Sequence, residues 1–445
     1  MIKKFKIKYI IICIVIIIFP LSLILNIYRS DYPSRLLNFL KRNNINIPDI
    51  NEGKVISSNY YAFKLNKIFP TNSEFKLLSL KSWVTPNYQS FSQYGGLELL
   101  GNSILYVDGD GKSLIIINDE VRYGQIFDIP NHKDDFLKFV KNNYIGNIFG
   151  IKDILLVPQI NENNDIYVST VDFNPDKQCY FLSVYLNSIN TNYKLISEKW
   201  TNIIETKPCL QKHKNGEFHG RSAGGKLAKS ENGDVYLSIG DFYFDGVNEK
   251  NILQKSESDY GKILRLSKDG KAPVVLALGL RNPQGLYFSG NVLYESEHGP
   301  QGGDELNVIN LNKSLVDYGW PTATFGVDYG KSQWPLDTEN SNHINNGYVL
   351  PIFSWIPSIG ISNLLVIQNS AKLKKWSNNV LVSSLRDQSL YRMALNEQKK
   401  VFLMERINVG FRVRDFIQLG NDFYLLEDNI RPQIWKLSIE EAISR

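Results

Sequence analysis

From about Phe75 onward, apolar residues alternate with polar ones or gather in short β-branched runs that close on Gly, Asn or Asp. The runs LELLGNSILYVDGDGKSLIII at 97–117, DILLVPQI at 153–160, DIYVSTVDF at 165–173 and CYFLSVYL at 179–186 set the pattern. It continues through GDVYLSIGD at 233–241, KILRLSKDGKAPVVLAL at 262–278, GLYFSGNVLYES at 285–296, NNVLVSSLRDQSLYRMAL at 378–395 and DFYLLEDN at 422–429. Side chains of a strand point alternately to its two faces, and the intervening Asn, Asp and Gly suit tight hairpin turns. Helical spacing is confined to two short segments, 134–141 and 438–443. The pattern predicts an all-β domain, and roughly 370 residues of it suit a propeller of about six four-stranded blades better than one sandwich.

A different texture precedes it. Lys3, Lys4, Lys6 and Lys8 lead into an apolar run at 9–27, interrupted only by Pro20, Ser22 and Asn26. That length matches the ~20 residues needed to span a bilayer, and the lysines place the N-terminus on the cytoplasmic side. A cleaved signal peptide is the competing reading, but no small-x-small site follows the run. The expected organisation is a basic tail at 1–8, a transmembrane helix at 9–27, a polar, proline-punctuated tether at 28–70 and the propeller at 71–445 on the periplasmic or extracellular side of the cytoplasmic membrane. Cys179 and Cys209 would then be the only cysteines of the exported part. An oxidising compartment allows a disulfide between them; two buried thiols are the alternative.

The net charge of +5 is spread along the chain without a long basic run, and no groove-binding motif occurs, so no nucleic-acid partner is expected. Chemistry concentrates instead in 279–330. There Arg281, Asn282, Gln284, His298, Asp304, Glu305, Tyr318 and Trp320 are packed among turn-forming glycines and prolines. So many polar groups would need partners in a core, so the stretch reads as functional loops. A propeller brings loops from distant positions to one axis, where residues near 219, 281, 299 and 412 could share a pocket.

The runs GLRNPQGL, SEHGPQGGDELN and YGWP resemble, in that order, the soluble quinoprotein glucose/sorbosone dehydrogenase family. The flanking GGKLAKSENGDVYLSIGD, DYGKILRL, PIFSWIPSIGISNLL, NNVLVSSLRDQSLYRM and GFRVRDF keep the family's order, so the resemblance covers most of 95–435. It implies a six-bladed β-propeller that uses pyrroloquinoline quinone (PQQ) and calcium to oxidise an aldose sugar, with electrons leaving to an external acceptor. PQQ is a planar tricarboxylate; Arg281, Arg412 and Arg414 would supply cations, Asn282 and Gln284 amides, and Tyr318 and Trp320 a flat wall. Calcium would rest on the carbonyls of Gly299 and Pro300. Asp304 and Glu305 are either further ligands or hydrogen-bonding supports of that turn.

The family's base is a histidine in H-x-x-G-R-L, oriented by the aspartate of a following G-D. Asp241 matches the aspartate. His219 is the candidate base, but it stands six residues before Gly225 rather than three, and Lys226 replaces the arginine. Gln368 falls about where some members carry a cofactor-contacting lysine, and His298 stands in place of a glutamine before G-P as a reserve contact to cofactor or substrate. The resemblance thus predicts a sugar dehydrogenase in which Arg281 stabilises the reduced oxygen, with a non-catalytic binding propeller as the alternative.

Overall fold

The computed structural model describes the chain from Val55 onward, apart from residues 58–59, 62–66, 71–76, 85–94, 118–119, 123–126, 131, 141–149, 161, 214–217, 219, 268–270, 314, 337–342, 430–431 and 441–445. The expected tail and transmembrane segment, 1–27, and His219 lie outside the described residues. Among those described, no helix is long and apolar enough to cross a membrane.

Six sheets form the expected propeller. Blade 1 comprises Gly95–Leu100, Ser103–Asp108, Ser113–Ile117 and Glu120–Arg122, and blade 2 comprises Gly150–Pro158, Asn164–Asn174, Cys179–Ile189 and Thr201–Glu205. Blade 3 comprises Gly224–Lys229, Val235–Ile239, Lys262–Leu266 and Val274–Leu278, with Val316–Asp317 added in parallel. Blade 4 comprises Pro283–Ser289, Val292–Glu297, Asp304–Asn310 and Phe353–Trp355, and blade 5 comprises Ile361–Val366, Val380–Ser384, Ser389–Leu395 and Val401–Asn408. Blade 6 takes Val413–Leu419, Asp422–Glu427 and Gln433–Glu440 from the C-terminal end, then Leu77–Val84 and Lys67–Pro70 from the N-terminal side. The first strand of each blade packs against that of the next, and the sixth returns to the first.

The ring explains why the strands read as nearly continuous apolar runs. Both faces of every blade are covered, so each gap between neighbours holds its own core. Leu97, Ile104 and Tyr106 of blade 1 meet Tyr424, Leu426 and Ile434 of blade 6, while Leu381 and Leu390 of blade 5 meet Phe416 and Phe423 of blade 6. The helix Lys133–Val140 matches the segment with helical spacing and seats Phe136 against Phe173 with ring centroids 5.4 Å apart.

The other expected helix, 438–443, is corrected. Through Glu440 it is the end of the strand Gln433–Glu440, held between Asp422–Glu427 and Leu77–Val84. Alternation buries Leu437 and Ile439 there, and strand partners on both edges override a short helical signal. Strand Lys67–Pro70 lies within the stretch expected as tether.

Cys179 and Cys209 are joined in a disulfide, with Cα atoms 5.6 Å apart. The bond fastens the third strand of blade 2 to the segment after its outermost strand, beside the Tyr180–Leu210 bridge. Cys179→Ser or Cys209→Ser should each lower unfolding stability by about 2–5 kcal/mol, and the double variant should cost no more than either. Chemical denaturation of the three proteins measures this; additive losses would mean that the two sulfurs act independently.

Candidate active site

A cavity of about 340 Å³ opens on the propeller axis at the end where the first strands begin. In an antiparallel blade the end of the second strand lies beside the start of the first, as Pro283 pairs with Glu297 and Ile361 with Ser384. The turns after second strands therefore converge with the segments entering first strands. Blade 3 contributes Arg221, Ser222, Gly224 and Tyr243, and blade 4 contributes Arg281, Asn282, Gln284 and the 298–302 turn. Ser358, Gly360, Leu385 and Arg386 come from blade 5, Arg414 from blade 6 and Lys152 from blade 2.

Arg281 is fixed from several sides. Its backbone amide donates to Glu297 Oε2 at 2.6 Å, and Asn282 N donates to the same oxygen at 3.2 Å. Its guanidinium Nη1 donates to the carbonyls of His298 and Gly299 at 3.2 and 2.8 Å, and lies over Trp320 at 5.4 Å from the ring centroid. The guanidinium Nε, though buried, has no hydrogen-bond partner. Arg414 reaches Gln284 Oε1 at 3.1 Å, and Gln284 in turn donates to Asn282 Oδ1 at 2.9 Å. These three expected contacts thus form one hydrogen-bonded wall.

Other expected residues are placed elsewhere. Arg412 shares the Asp428 carboxylate with Arg414, each at 2.6 Å, but does not line the cavity. The R-x-R alternation does put both guanidinium groups on one carboxylate, and only the inner one reaches the axis. Trp320 and Tyr318 are no flat wall of this cavity: Trp320 is buried against Trp334 and donates to Asp241 Oδ2 at 2.9 Å, and the Tyr318 hydroxyl donates to the Val308 carbonyl. Large aromatic rings bury more apolar area behind the wall than on it. Tyr243 and Tyr329 are the aromatic residues that line the opening.

Asp241 is fully buried, accepts Tyr243 N at 2.9 Å, and lies behind the lining. Burial pushes its carboxyl up to about 7; Arg281 opposes the rise and Asp245 adds to it. Gln368, expected near a cofactor-contacting position, belongs to a separate cavity at the other end of the axis and donates to the Tyr287 hydroxyl at 3.0 Å.

His298 does line the cavity, with Nδ1 3.8 Å from Asp304 Oδ1. Asp304 behaves as a support for the turn. It accepts Gly299 N at 3.3 Å, Ser358 Oγ at 2.8 Å and Ile361 N at 3.0 Å, tying blade 4 to blade 5. Although burial would raise its carboxyl, His298 and these donors hold it below the usual range. Glu305 instead joins Glu295 and Glu297 around Asn307, whose amide donates to all three; burial pushes the three carboxyls up, and the Glu297 charge adds to the rise at Glu295 and Glu305.

Two groups suit this cavity. Lys152, Arg221, Arg281, Arg386 and Arg414 face it against the single carboxylate of Asp304, a charge balance that favours a polyanion such as a tricarboxylate. Among the described residues no group of three or more His, Cys, Asp or Glu is arranged to hold a metal. A cation here would rest on carbonyls, and the turn offers them. A Cβ added at Gly299 would fall 2.2 and 2.4 Å from the carbonyl oxygens of Gly302 and Gly303, so only glycine permits that crowding of hard oxygen donors. The Gly299 carbonyl already accepts Arg281 and keeps one lone pair for a cation.

Sequence reading missed Lys152, Arg221, Tyr243 and Arg386. The blade repeat carried a signal for the last: the turn holding His298 and Gly299 in blade 4 holds Leu385 and Arg386 in blade 5. The position three residues before Gly225 is Ser222, which lines the cavity at φ 55°.

Below the cavity, the axis is closed by ion pairs. Lys226 Nζ lies 2.8 Å from Asp153 Oδ1 and 3.0 Å from Asp415 Oδ1. Burial works against the lysine's charge, and the two carboxylates more than offset it, raising its proton affinity. Asp153 also accepts Leu227 N and Asp415 accepts Leu97 N, each at 2.8 Å, while Asn363 donates to Asp415. A Cβ at Gly96 would come within 2.9 Å of Asp153 Oδ1, so the first strand of blade 1 needs glycine there.

The family model for glucose/sorbosone dehydrogenase matches residues 109–436. The chain is 26% identical over 310 residues to the aldose sugar dehydrogenase YliI of Escherichia coli (strain K12), covering 65% of this chain and 77% of that protein. It is 25% identical over 364 residues to the quinoprotein glucose dehydrogenase B of Acinetobacter calcoaceticus, covering 63% and 73%. A solved glucose dehydrogenase superposes with a TM-score of 0.64 at 23% identity, over 79% of this chain and 98% of that one. The PQQ-bound aldose sugar dehydrogenase of Streptomyces coelicolor does so with a TM-score of 0.56 at 18% identity, over 82% and 98%.

The raised carboxyl of Asp241 has a measurable consequence. Its folded value of about 7 exceeds the unfolded ~3.9, so its contribution to stability is complete below about pH 4 and is lost as pH rises through about 7. Asp241→Asn should flatten the fall in melting temperature between about pH 4 and 7, followed by circular dichroism. An unchanged slope would show that Asp241 folds ionised.

Proposed function

Because the chain belongs to the glucose/sorbosone dehydrogenase family, we propose that it oxidises an aldose sugar to its lactone with PQQ and calcium, passing the electrons to an external acceptor. The observation that carries this reading is the cationic axial cavity, where Arg281, Asn282, Gln284 and Arg414 meet the Gly299–Pro300 turn. The arginines would grip the carboxylates of PQQ, the two amides would bond its edge, and the carbonyls of Gly299 and Pro300 would hold calcium. Bound there, PQQ supplies a two-electron acceptor for hydride from the anomeric carbon.

The remaining work falls to the chain. Arg281, held by Glu297 through its backbone and by two carbonyls through its side chain, is oriented to stabilise negative charge developing on a bound oxygen. His219 would accept the anomeric hydroxyl proton, with Asp241 holding the imidazole through a lone pair not given to Tyr243 or Trp320. His298, which lines the cavity, would contact cofactor or substrate. The Cys179–Cys209 disulfide and the basic, apolar segment 1–27 support placing the propeller outside the cytoplasmic membrane on a single-pass anchor. One observation favours the alternative of a binding propeller without turnover: Ser222 stands where the family pattern has its base.

Reconstituting the protein with PQQ and calcium and following dye reduction across aldoses tests the reading. Turnover with at least one sugar is expected, and a bound-cofactor spectrum without any turnover would favour the binding propeller. His219→Ala should keep that spectrum and lose turnover by roughly 10²–10⁴-fold, the share of a general base. Undiminished turnover would reject His219 as the base.

A further inference from the structure

The axial cavity holds a cation that neither the arginine pattern nor the glycine-rich turns account for. Lys152 lies on the first strand of blade 2, is 8% exposed, and lines the same cavity as Arg281 and Arg414. Its neighbour Asp153 belongs to the other side of the axial closure, where its carboxylate is engaged by Lys226 and Leu227. Strand alternation thus separates the two residues: the acid is committed to the structural ion pair, and the lysine turns to the site.

The packing around Lys152 is specific. A Cβ at Gly225, whose φ is +98°, would lie 2.5 Å from Lys152 Cβ and 2.9 Å from its Cγ. Only glycine at 225 leaves room for the stem of a long side chain at this point on the axis. A buried lysine stem against a backbone glycine gains little as packing alone, since ordering so long a side chain costs rotamer entropy.

We propose that Lys152 is a binding residue for an acidic group of the cavity's ligand, meeting it from the floor while the arginines engage it from the walls. This rests on the reading of an anionic cofactor given above. The cavity that Lys152 lines is predominantly cationic, with the Asp304 carboxylate of blade 4 and His298 beside it. Arg414 approaches from blade 6 and Arg281 stands across the cavity in blade 4, while Lys226 of blade 3 holds the carboxylates of Asp153 and Asp415. Glu98 of blade 1 lines the opposite cavity. Burial pushes the Lys152 amine well below its ordinary range, and Arg414 adds to the effect. A carboxylate arriving beside it reverses both influences, so the amine takes up a proton as the ligand binds and the affinity falls as pH rises.

Calorimetric titration of PQQ with calcium, repeated in buffers of different ionisation enthalpy, reads both consequences. The unmutated protein should take up a fraction of a proton, up to one, on binding. Lys152→Met should abolish that uptake and weaken binding by roughly 10- to 100-fold, the loss expected of one charged hydrogen bond. Lys152→Arg, which keeps the charge, should retain most of the affinity without the uptake, and circular dichroism checks that both variants fold. Equal affinity and equal proton uptake in Lys152→Met would overturn the assignment while leaving the cofactor reading intact. No binding of PQQ by the unmutated protein would overturn the cofactor reading and this inference with it.

Discussion

A charged lysine set on the axis, only 13% exposed, is the constraint on which the ring depends. Lys226 cannot shed its charge into solvent, so it must be met by carboxylates, and these come from blades 2 and 6. Asp153 and Asp415 then take the backbone amides of Leu227 and Leu97, and Asp415 takes the Asn363 amide as well. One ionic centre thereby draws together five of the six first strands. Blade 4 joins through Ser296, whose hydroxyl donates to the Ser362 carbonyl of blade 5. Removing either partner of such a centre leaves an unpaired charge, so it specifies how the first strands sit more than it adds to net stability.

The same centre divides the axis into two cavities of different chemistry. Above it, arginines and a lysine face a carbonyl-rich turn; below it, the lining is largely apolar, with Leu286, Phe288, Leu364 and Ile417. The upper cavity is well equipped to hold an anionic ligand beside a hard cation. Its equipment for proton removal is thinner, because Ser222 occupies the place where the family pattern has histidine. Binding and turnover are therefore supported by different residues.

Much of the architecture was legible because local and global signals agree. Hairpin turns such as Gly101–Asn102 fall between paired strands, and the blades follow one another in chain order. The 438–443 segment misled because six residues cannot show whether a partner strand awaits them, and that partner is some 350 residues away in the chain. The site was legible where chemistry is written in a local motif, as at Arg281, Asn282, Gln284 and the 298–300 turn. Lys152 and Arg386 escaped notice because each is an ordinary cation in an ordinary strand or turn until the ring brings its blade to the axis. Trp320 and Arg412 illustrate the converse: a residue can belong to a site-like motif and still serve it from behind, by holding Asp241 or Asp428 in place.

Blade 6 combines the two ends of the chain, with Leu77–Val84 completing a sheet whose other strands begin at Val413. During synthesis the early strand remains an unpaired edge until Gln433–Glu440 emerges about 350 residues later, an interval of roughly 20–70 s at ordinary elongation rates. An exposed edge of that duration invites pairing with a neighbouring chain. Ring closure therefore makes the blades' cooperation a late event: five of them can begin to pack on the growing polypeptide, but the circle shuts only once Gln433–Glu440 has joined Leu77–Val84.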